Sequence, residues 1–290
     1  MIDRLAILGT GLIGGSLGLI WQERRPDLTV VGHDRPQVLE RAAERGALDE
    51  KAADPITAVS GADLVVLAPP LASILGLMET IADDLSDGCL VTDVGSVKQA
   101  VVRDVGPFIP EGVHLVPGHP VAGTEHSGPD AGFAELFRDR WCILTPPPGT
   151  DADAVATVRA LWEACGMTVE EMSAHHHDQV LAITSHLPHL IAYTIVGTAT
   201  DLEDHLKQEV VKFSASGFRD FTRIAASDPV MWRDIFLDNR DAVLEILNRF
   251  SEDLGALQRA IRWGEGDKLE DWFSRTRAIR RDVIEAKQAE

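Results

Sequence analysis

The run Gly9-Thr10-Gly11-Leu12-Ile13-Gly14 follows a short apolar segment, Arg4-Leu5-Ala6-Ile7-Leu8, and Asp34 stands twenty residues beyond Gly14. Each part has a physical task. An apolar segment of this length suits a parallel strand buried on both faces. Gly9 permits a tight turn, Gly11 lets backbone N–H groups approach a pyrophosphate, and Gly14 lets the next helix lie close to the strand. Leu28-Thr29-Val30-Val31-Gly32 reads as a second buried strand, which delivers Asp34 to where a ribose 2′-OH would lie. A lone GxGxxG is a weak signal. Strand, glycines, apolar helix, strand and acid in register point to a dinucleotide site. Gly9, Gly11, Leu12, Ile13, Gly14, Asp34 and Arg35 are expected to line it, with Pro69 at the end of a later strand.

Charge selects the dinucleotide. A carboxylate at Asp34 accepts hydrogen bonds from two ribose hydroxyls and repels the 2′-phosphate of NADP. Arg35 either pairs with that phosphate or stacks its guanidinium on the adenine face. The balance favours NAD, with NADP as the lesser alternative. Over 290 residues the net charge is −19, which argues against a nucleic-acid or anionic-membrane partner. The three cysteines, Cys89, Cys142 and Cys165, lack metal-type spacing and read as buried thiols in a reducing compartment. The N-terminus enters a strand at once, so no signal peptide is expected. No apolar stretch reads as long enough to span a membrane, and a cytoplasmic protein is expected.

The first half alternates strands and helices. Apolar strands are expected at 64–68, 89–94, 113–117, 141–145 and 167–172, with a helix over 152–165. That alternation predicts a mostly parallel, doubly wound sheet. From Ala174 onward the periodicity is helical. Val180, Leu181, Ile183, Leu187, Leu190, Ile191 and Ile195 are apolar on nearly every side, which predicts a buried helix, kinked at Pro188. Ser227-Asp228-Pro229 has the form of a helix start. The fold class is therefore α/β: an N-terminal Rossmann-type doubly wound parallel sheet and a C-terminal all-helical dimerisation domain. The expected domains are 1–173, binding the dinucleotide, and 174–290, helical and pairing with a second copy as a homodimer.

In open parallel sheets, ligands bind beyond the carboxyl ends of the strands. Ser96, His119 and the loop Gly123-Thr124-Glu125 fall there. His119 follows a strand and precedes Pro120, which holds it extended. A histidine so placed suits proton transfer near neutral pH. His186 and His189 lie on one helix face and resemble a metal pair, but no third ligand has an obvious place, so no metal is expected. His175-His176-His177 reads as a polar helix start with Asp178 in its first turn. Arg219, Asp220, Arg223 and Trp232 cluster in sequence. Arginine beside aromatic residues is an ordinary packing theme, and it also suits a carboxylate substrate, which a guanidinium binds in a bidentate fork.

Five segments together resemble the prephenate and arogenate (cyclohexadienyl) dehydrogenases of tyrosine biosynthesis: GTGLIGGSLG at 9–18, DVGSVK at 93–98, GHPVAGTEHSG at 118–128, SHLPH at 185–189 and GFRDFTRIAASDPVMW at 217–232. The fingerprint is shared with many families; the other four jointly are specific. The resemblance implies an NAD-dependent oxidative decarboxylation of prephenate, arogenate or both, giving 4-hydroxyphenylpyruvate or tyrosine. It implies that His119 takes the ring-hydroxyl proton and that Ser96 hydrogen-bonds near it and the nicotinamide. It further implies that Arg223 grips a substrate carboxylate, that His189 binds substrate, and that His186 and Trp232 shape the pocket. Thr124 and Glu125 are expected near the substrate side chain. Glu125 either pairs with the ammonium of arogenate or with a basic group of the protein or of the partner subunit. Activity on both substrates is expected, with arogenate at least comparable. The chain stops at Glu290 without room for a regulatory module, so tyrosine inhibition is expected to be competitive with substrate. The rival readings are another two-domain hydroxy-acid dehydrogenase, which usually needs a lysine in the helical half, and a non-catalytic NAD-binding regulator, which needs none of His119, Ser96 and Arg223.

Overall fold

The computed structural model describes residues 2–200 and 216–285. The main sheet is formed by β1 (Arg4–Leu8), β2 (Thr29–His33), β3 (Glu50–Lys51), β4 (Leu64–Leu67), β5 (Leu90–Asp93) and β6 (His114–Leu115), in the order β3-β2-β1-β4-β5-β6. All its pairings are parallel. The strand order reverses between β1 and β4, so the carboxyl end of β1 opens on the topological switch point where ligands of such sheets bind.

Strand alternation explains why β1 is apolar without a break from Leu5 to Leu8. Leu5 and Ile7 point to one face, packing with Leu17 and Trp21 of α1 (Leu12–Arg24) and with Val158, Leu161 and Trp162 further along the chain. Ala6 and Leu8 point to the other, packing with Ala58, Ile74, Met78 and Val101. Helices α2 (Pro36–Glu44), α3 (Pro55–Val59), α4 (Ile74–Ile81), α5 (Lys98–Val105) and α6 (Ala152–Ala164) complete the alternating half. With both faces covered, each fully buried Leu or Ile contributes about 1.5–3 kcal/mol relative to exposure. The three cysteines are free and buried, and burial pushes the Cys89 and Cys165 thiols up to about 12.

Two expectations of strand placement are corrected. Residues 141–145 and 167–172 do not extend the main sheet. They form β8 (Trp141–Leu144) and β9 (Thr168–Glu171) of a separate three-stranded sheet, ordered β7-β8-β9. The short β7 (Gly118–Pro120) runs antiparallel to β8, with His119 opposite Ile143. His119 therefore sits inside a strand, not after one. A strand of three residues containing a proline gives no periodicity to read.

The helical segment opens with α7 (Ala174–Leu181), capped by Ser173, whose side chain accepts from His176 N. A π-helical turn, Ala182–His186, then leads into α8 (Leu187–Thr200). The widened turn ends two residues before Pro188, which has no N–H to give. The expected burial of this helix is only partly met: Leu181 and Leu187 are buried, while Ile183 is 54% and Ile195 39% exposed. The stretch Ala174–Ala199 is also long and apolar enough to cross a membrane, which corrects the reading that no such stretch exists. Its inner face, however, carries His177, Asp178 and His186, all buried, the first two against His119 and Lys98 of the alternating half and the third against Asn239. Asp228 caps Pro229–Asp238 as expected, accepting from Val230 N and Met231 N.

Two compact units are distinguished, 1–242 and 243–290. Both sheets and every candidate site residue belong to the first. The second holds most of the helix Arg240–Trp263 and the helix Gly266–Glu285.

Candidate active site

The turn from β1 into α1 has the geometry that its glycines were expected to provide. Gly9 has φ +102°, and a Cβ there would sit 2.5 Å from Ala68 C and 2.6 Å from Pro69 N. A Cβ on Gly14 would lie 1.9 Å from Gly9 O. Gly11 differs: a Cβ there meets nothing within 4 Å. Two glycines are thus required by the fold, and the third faces open space at the start of a helix. Leu12 and Ile13 are the first residues of that helix. Asp34 Oδ2 accepts from Thr10 N at 2.7 Å, and its Oδ1 accepts from Arg35 N at 2.7 Å. The Arg35 side chain is 83% exposed, with Nε 3.9 Å from Asp34 Oδ1. Turn, carboxylate and Pro69 therefore meet at one edge of the sheet.

The segment carrying His119 is anchored by a buried ion pair. Lys98 Nζ bonds Asp93 and also donates to Gly118 O at 2.7 Å. Asp93 Oδ1 accepts from Gly118 N at 3.2 Å and Oδ2 from Gly95 N at 2.7 Å. Burial pushes Lys98 down and Asp93 up, each against the pull of the other. The pair ties β7 to the end of β5 on either side of Ser96, which is half-buried in the loop between β5 and α5.

From His119 a chain of contacts runs through the helical segment. His119 Nδ1 lies 2.8 Å from His177 Nε2, and His177 Nδ1 lies 2.8 Å from Asp178 Oδ1. Asp178 also accepts from Lys98 N at 2.8 Å and Gln99 N at 2.9 Å, the first N–H groups of α5. Asn239 Nδ2 donates to Asp178 O at 2.9 Å and lies 3.0 Å from His186 Nδ1. The His186 ring meets Trp232 edge to face at 6.0 Å, and His189 stacks on Trp232 at 3.6 Å. His189 Nδ1 is bonded to Ser185 O at 2.9 Å. His186 Nε2 and Trp232 Nε1 are buried with no protein partner.

The sequence reading of His177 and Asp178 is corrected here. His175 and His176 are exposed, as a polar helix start should be, but His177 and Asp178 are fully buried beside His119. A signal was present. They precede the buried Leu181 and Ala182 by four residues each, and so share the inward face of the helix. The remaining candidates lie further out. Arg223 Nη1 is 3.0 Å from Glu125 Oε2, so of the two partners considered for Glu125 it has the basic group of the protein. Its own backbone N–H and then Arg223, against burial, hold the Glu125 carboxyl below the usual range. Thr124 Oγ1 is engaged with His126 of its own loop. Among the described residues, no three His, Cys, Asp or Glu side chains are grouped to hold a metal ion.

Burial sets the protonation of the cluster. Desolvation, then the charges of His177, Lys98 and His186, push His119 well below the ordinary histidine value. Burial also lowers His177, against the Asp178 carboxylate, and lowers His186 to about 4. These rings are neutral at neutral pH, which suits His119 to accept a proton. A depressed folded value has a consequence for stability. The contribution is fully present above the unfolded value near 6.5 and is lost as pH falls towards the folded one. His186 alone is worth about 2 kcal/mol between pH 7 and pH 5. A melting temperature lower by about 4–8 °C at pH 5 is expected; equal values at the two pH would refute it.

Comparisons with known proteins identify the family and the fold. Residues 17–171 match the family model described as "Prephenate dehydrogenase, nucleotide-binding domain", and residues 173–275 match "Prephenate dehydrogenase, dimerization domain". The chain is 41% identical over 281 residues to a cyclohexadienyl dehydrogenase of Zymomonas mobilis, covering 97% of this chain and 96% of the relative. It is 36% identical over 275 residues to a prephenate dehydrogenase of Bacillus subtilis, covering 94% and 73%. Among solved structures it is similar to the prephenate dehydrogenase of Aquifex aeolicus in complex with hydroxyphenyl propionate and NAD+, with a TM-score of 0.90, 32% identity and coverage of 98% and 99%. A Synechocystis arogenate dehydrogenase gives 0.82 and 28%, covering 97% and 99%.

Proposed function

The chain belongs to the prephenate dehydrogenase family, and from that premise we propose that it oxidatively decarboxylates prephenate, arogenate or both, with His119 as the base. The observation that carries the proposal is His119 itself: buried, kept neutral, and fixed in β7 at the carboxyl end of the sheet that bears the fingerprint. The fingerprint turn fits NAD. The open side of Gly11 leaves room for a pyrophosphate over the start of α1, and the Asp34 carboxylate favours ribose hydroxyls over a 2′-phosphate. NAD, when bound, supplies the hydride acceptor.

The residues of the chain do the rest. His119 takes the ring-hydroxyl proton as the carbonyl develops. The bond from the ring to its carboxylate breaks, CO2 leaves, and the electron pair completes the aromatic ring of the product. Arg223 receives a substrate carboxylate. Its pairing with Glu125 supports this, because a guanidinium already seated on one carboxylate has the geometry for another. Ser96 is read as a hydrogen-bonding neighbour of His119 and the nicotinamide. His189, Thr124 and Glu125 are read as substrate contacts, and His186 and Trp232 as walls that offer two unpartnered N–H groups.

The test is initial rates of nicotinamide reduction with prephenate and with arogenate, each with NAD and with NADP. Reduction of NAD by either substrate supports the reading. No reduction by folded protein that binds NAD would remove it. The exposed Ile183 and Ile195, on a segment that matches the family's dimerization domain, support pairing with a second copy. Light scattering is expected to give a dimer at micromolar concentration, and a stable monomer would refute it.

A further inference from the structure

Nothing in the proposed chemistry so far uses His177 or Asp178, yet both are buried ionisable groups in line with the base. We propose that they are positioning residues for His119, forming a relay that dictates which nitrogen of its ring carries the proton and shares the charge once a second proton arrives. The inference rests on reading His119 as the base.

The direction of each link is forced from the far end. Asp178 is held as a carboxylate: burial pushes it up, but hydrogen bonds from His177 and from the N–H groups of Lys98 and Gln99 outweigh this. A carboxylate only accepts, so His177 Nδ1, 2.8 Å away, carries the hydrogen. In the neutral ring, His177 Nε2 is then a bare acceptor. It lies 2.8 Å from His119 Nδ1, which must donate. His119 Nε2 is left as the lone pair, free to take a substrate proton.

The same line of contacts receives the charge. When His119 Nε2 gains a proton, the His119 Nδ1–H bond can break as the His177 Nε2–H bond forms. The imidazolium then sits on the ring that touches Asp178. The two neutral rings hold two protons at rest; with the substrate proton they hold three and a single positive charge, which this transfer moves from His119 to His177, and no oxidant or reductant is involved. The other charged or titratable groups acting on these rings are Lys98 and His186 at His119, and Lys98 and Asp93 at His177. Lys98 opposes a positive ring and Asp93 favours one. Asp178 alone is in hydrogen-bond contact with the relay, which gives it the leading part.

Three variants and one spectrum test this. NMR of the imidazole nitrogens in the intact enzyme is expected to show His119 as the Nδ1–H tautomer. The Nε2–H tautomer would overturn the relay without any variant. Asp178→Asn lets an amide N–H face His177 Nδ1, which reverses both tautomers. It is expected to lower kcat by at least about 100-fold, to move His119 towards Nε2–H, and to shift the acid limb of the kcat/KM profile to lower pH, with affinity for NAD within about threefold. His177→Gln keeps an acceptor for His119 Nδ1 but cannot hold a proton. A smaller loss, about 10-fold, is expected, with the tautomer retained and the acid limb lowered. His177→Leu removes both functions and should lose at least as much as Asp178→Asn. Folded Asp178→Asn or His177→Gln protein with wild-type kcat, acid limb and tautomer would overturn the proposal. If Asp178→Asn does not fold, His177→Gln and the wild-type spectrum still decide. The spectrum reports the relay even if His119 proves not to be the base, which its own replacement tests separately.

Discussion

Replacing His119 with asparagine should lower kcat by at least about 100-fold, the range for loss of a general acid–base group, with little change in affinity for NAD. Asparagine is a suitable probe because its amide N–H can stand where His119 Nδ1–H stands. The bond to His177 Nε2 survives, and the buried acceptor is not orphaned. What disappears is the basic nitrogen on the other side of the ring. The wild-type kcat/KM profile should also have an acid limb below the ordinary histidine value, because burial depresses His119. That limb should vanish in the variant. A loss smaller than about 10-fold, or an unchanged acid limb, would assign the proton to another group.

The second large effect separates two glycines that look equivalent in the fingerprint. In Gly14→Ala the new methyl would sit 1.9 Å from Gly9 O and 2.9 Å from Ile7 Cγ2. The first is backbone, locked by the hydrogen bond from Gly9 N to His33 O, and cannot move aside cheaply. A cost of about 3 kcal/mol or more is expected, with a melting temperature lower by roughly 6–12 °C or no soluble protein. In Gly11→Ala the methyl meets no protein atom within 4 Å, and φ is negative, at −73°. The fold should hold, but the methyl occupies the side from which a pyrophosphate would approach. The KM for NAD is expected to rise at least about 10-fold, a loss of about 1.4 kcal/mol or more, with a melting temperature near wild type. Equal damage to stability in both variants would show that Gly11 serves the fold alone.

Legibility in the sequence followed the distance over which each feature is decided. The β1–turn–α1–β2 unit could be read because its parts are adjacent and each residue type has a local reason. Leu5 to Leu8 are apolar because both faces are covered, and Gly9 and Gly14 are glycines because no Cβ fits. His119 could be reached because it lies just past the apolar run 113–117 and before Pro120, although the structure puts it inside the short strand β7. Its partner could not: His177 is 58 residues away, and nothing in a run of three histidines and an aspartate says which ring turns inward until the phase of Leu181 and Ala182 is counted. The split into two sheets was hidden for a related reason. Trp141–Leu144 has the composition of a central parallel strand, and only its pairing with Gly118–Pro120 shows otherwise. The Arg223–Glu125 pair spans 98 residues and was open to two readings. The exposure of Ile183 in the π-helical turn and of Ile195 in α8 is not legible, because continuous hydrophobicity does not distinguish a buried helix from one with an uncovered face.

Asp34 has a bearing on how such a chain can evolve. One oxygen of its carboxylate holds Thr10 N in the glycine turn, and the other holds Arg35 N at the start of α2. On the proposed reading of the site, the atoms that would discriminate between dinucleotides are therefore the atoms that shape the turn that would present the phosphates. A lineage drifting towards the phosphorylated cofactor cannot simply discard the acid, since doing so also loosens the loop every dinucleotide needs. The route must pass through a replacement that still accepts from Thr10, with a new cation supplied alongside. Cofactor preference in this architecture is held in place by local folding as much as by selection for the ligand.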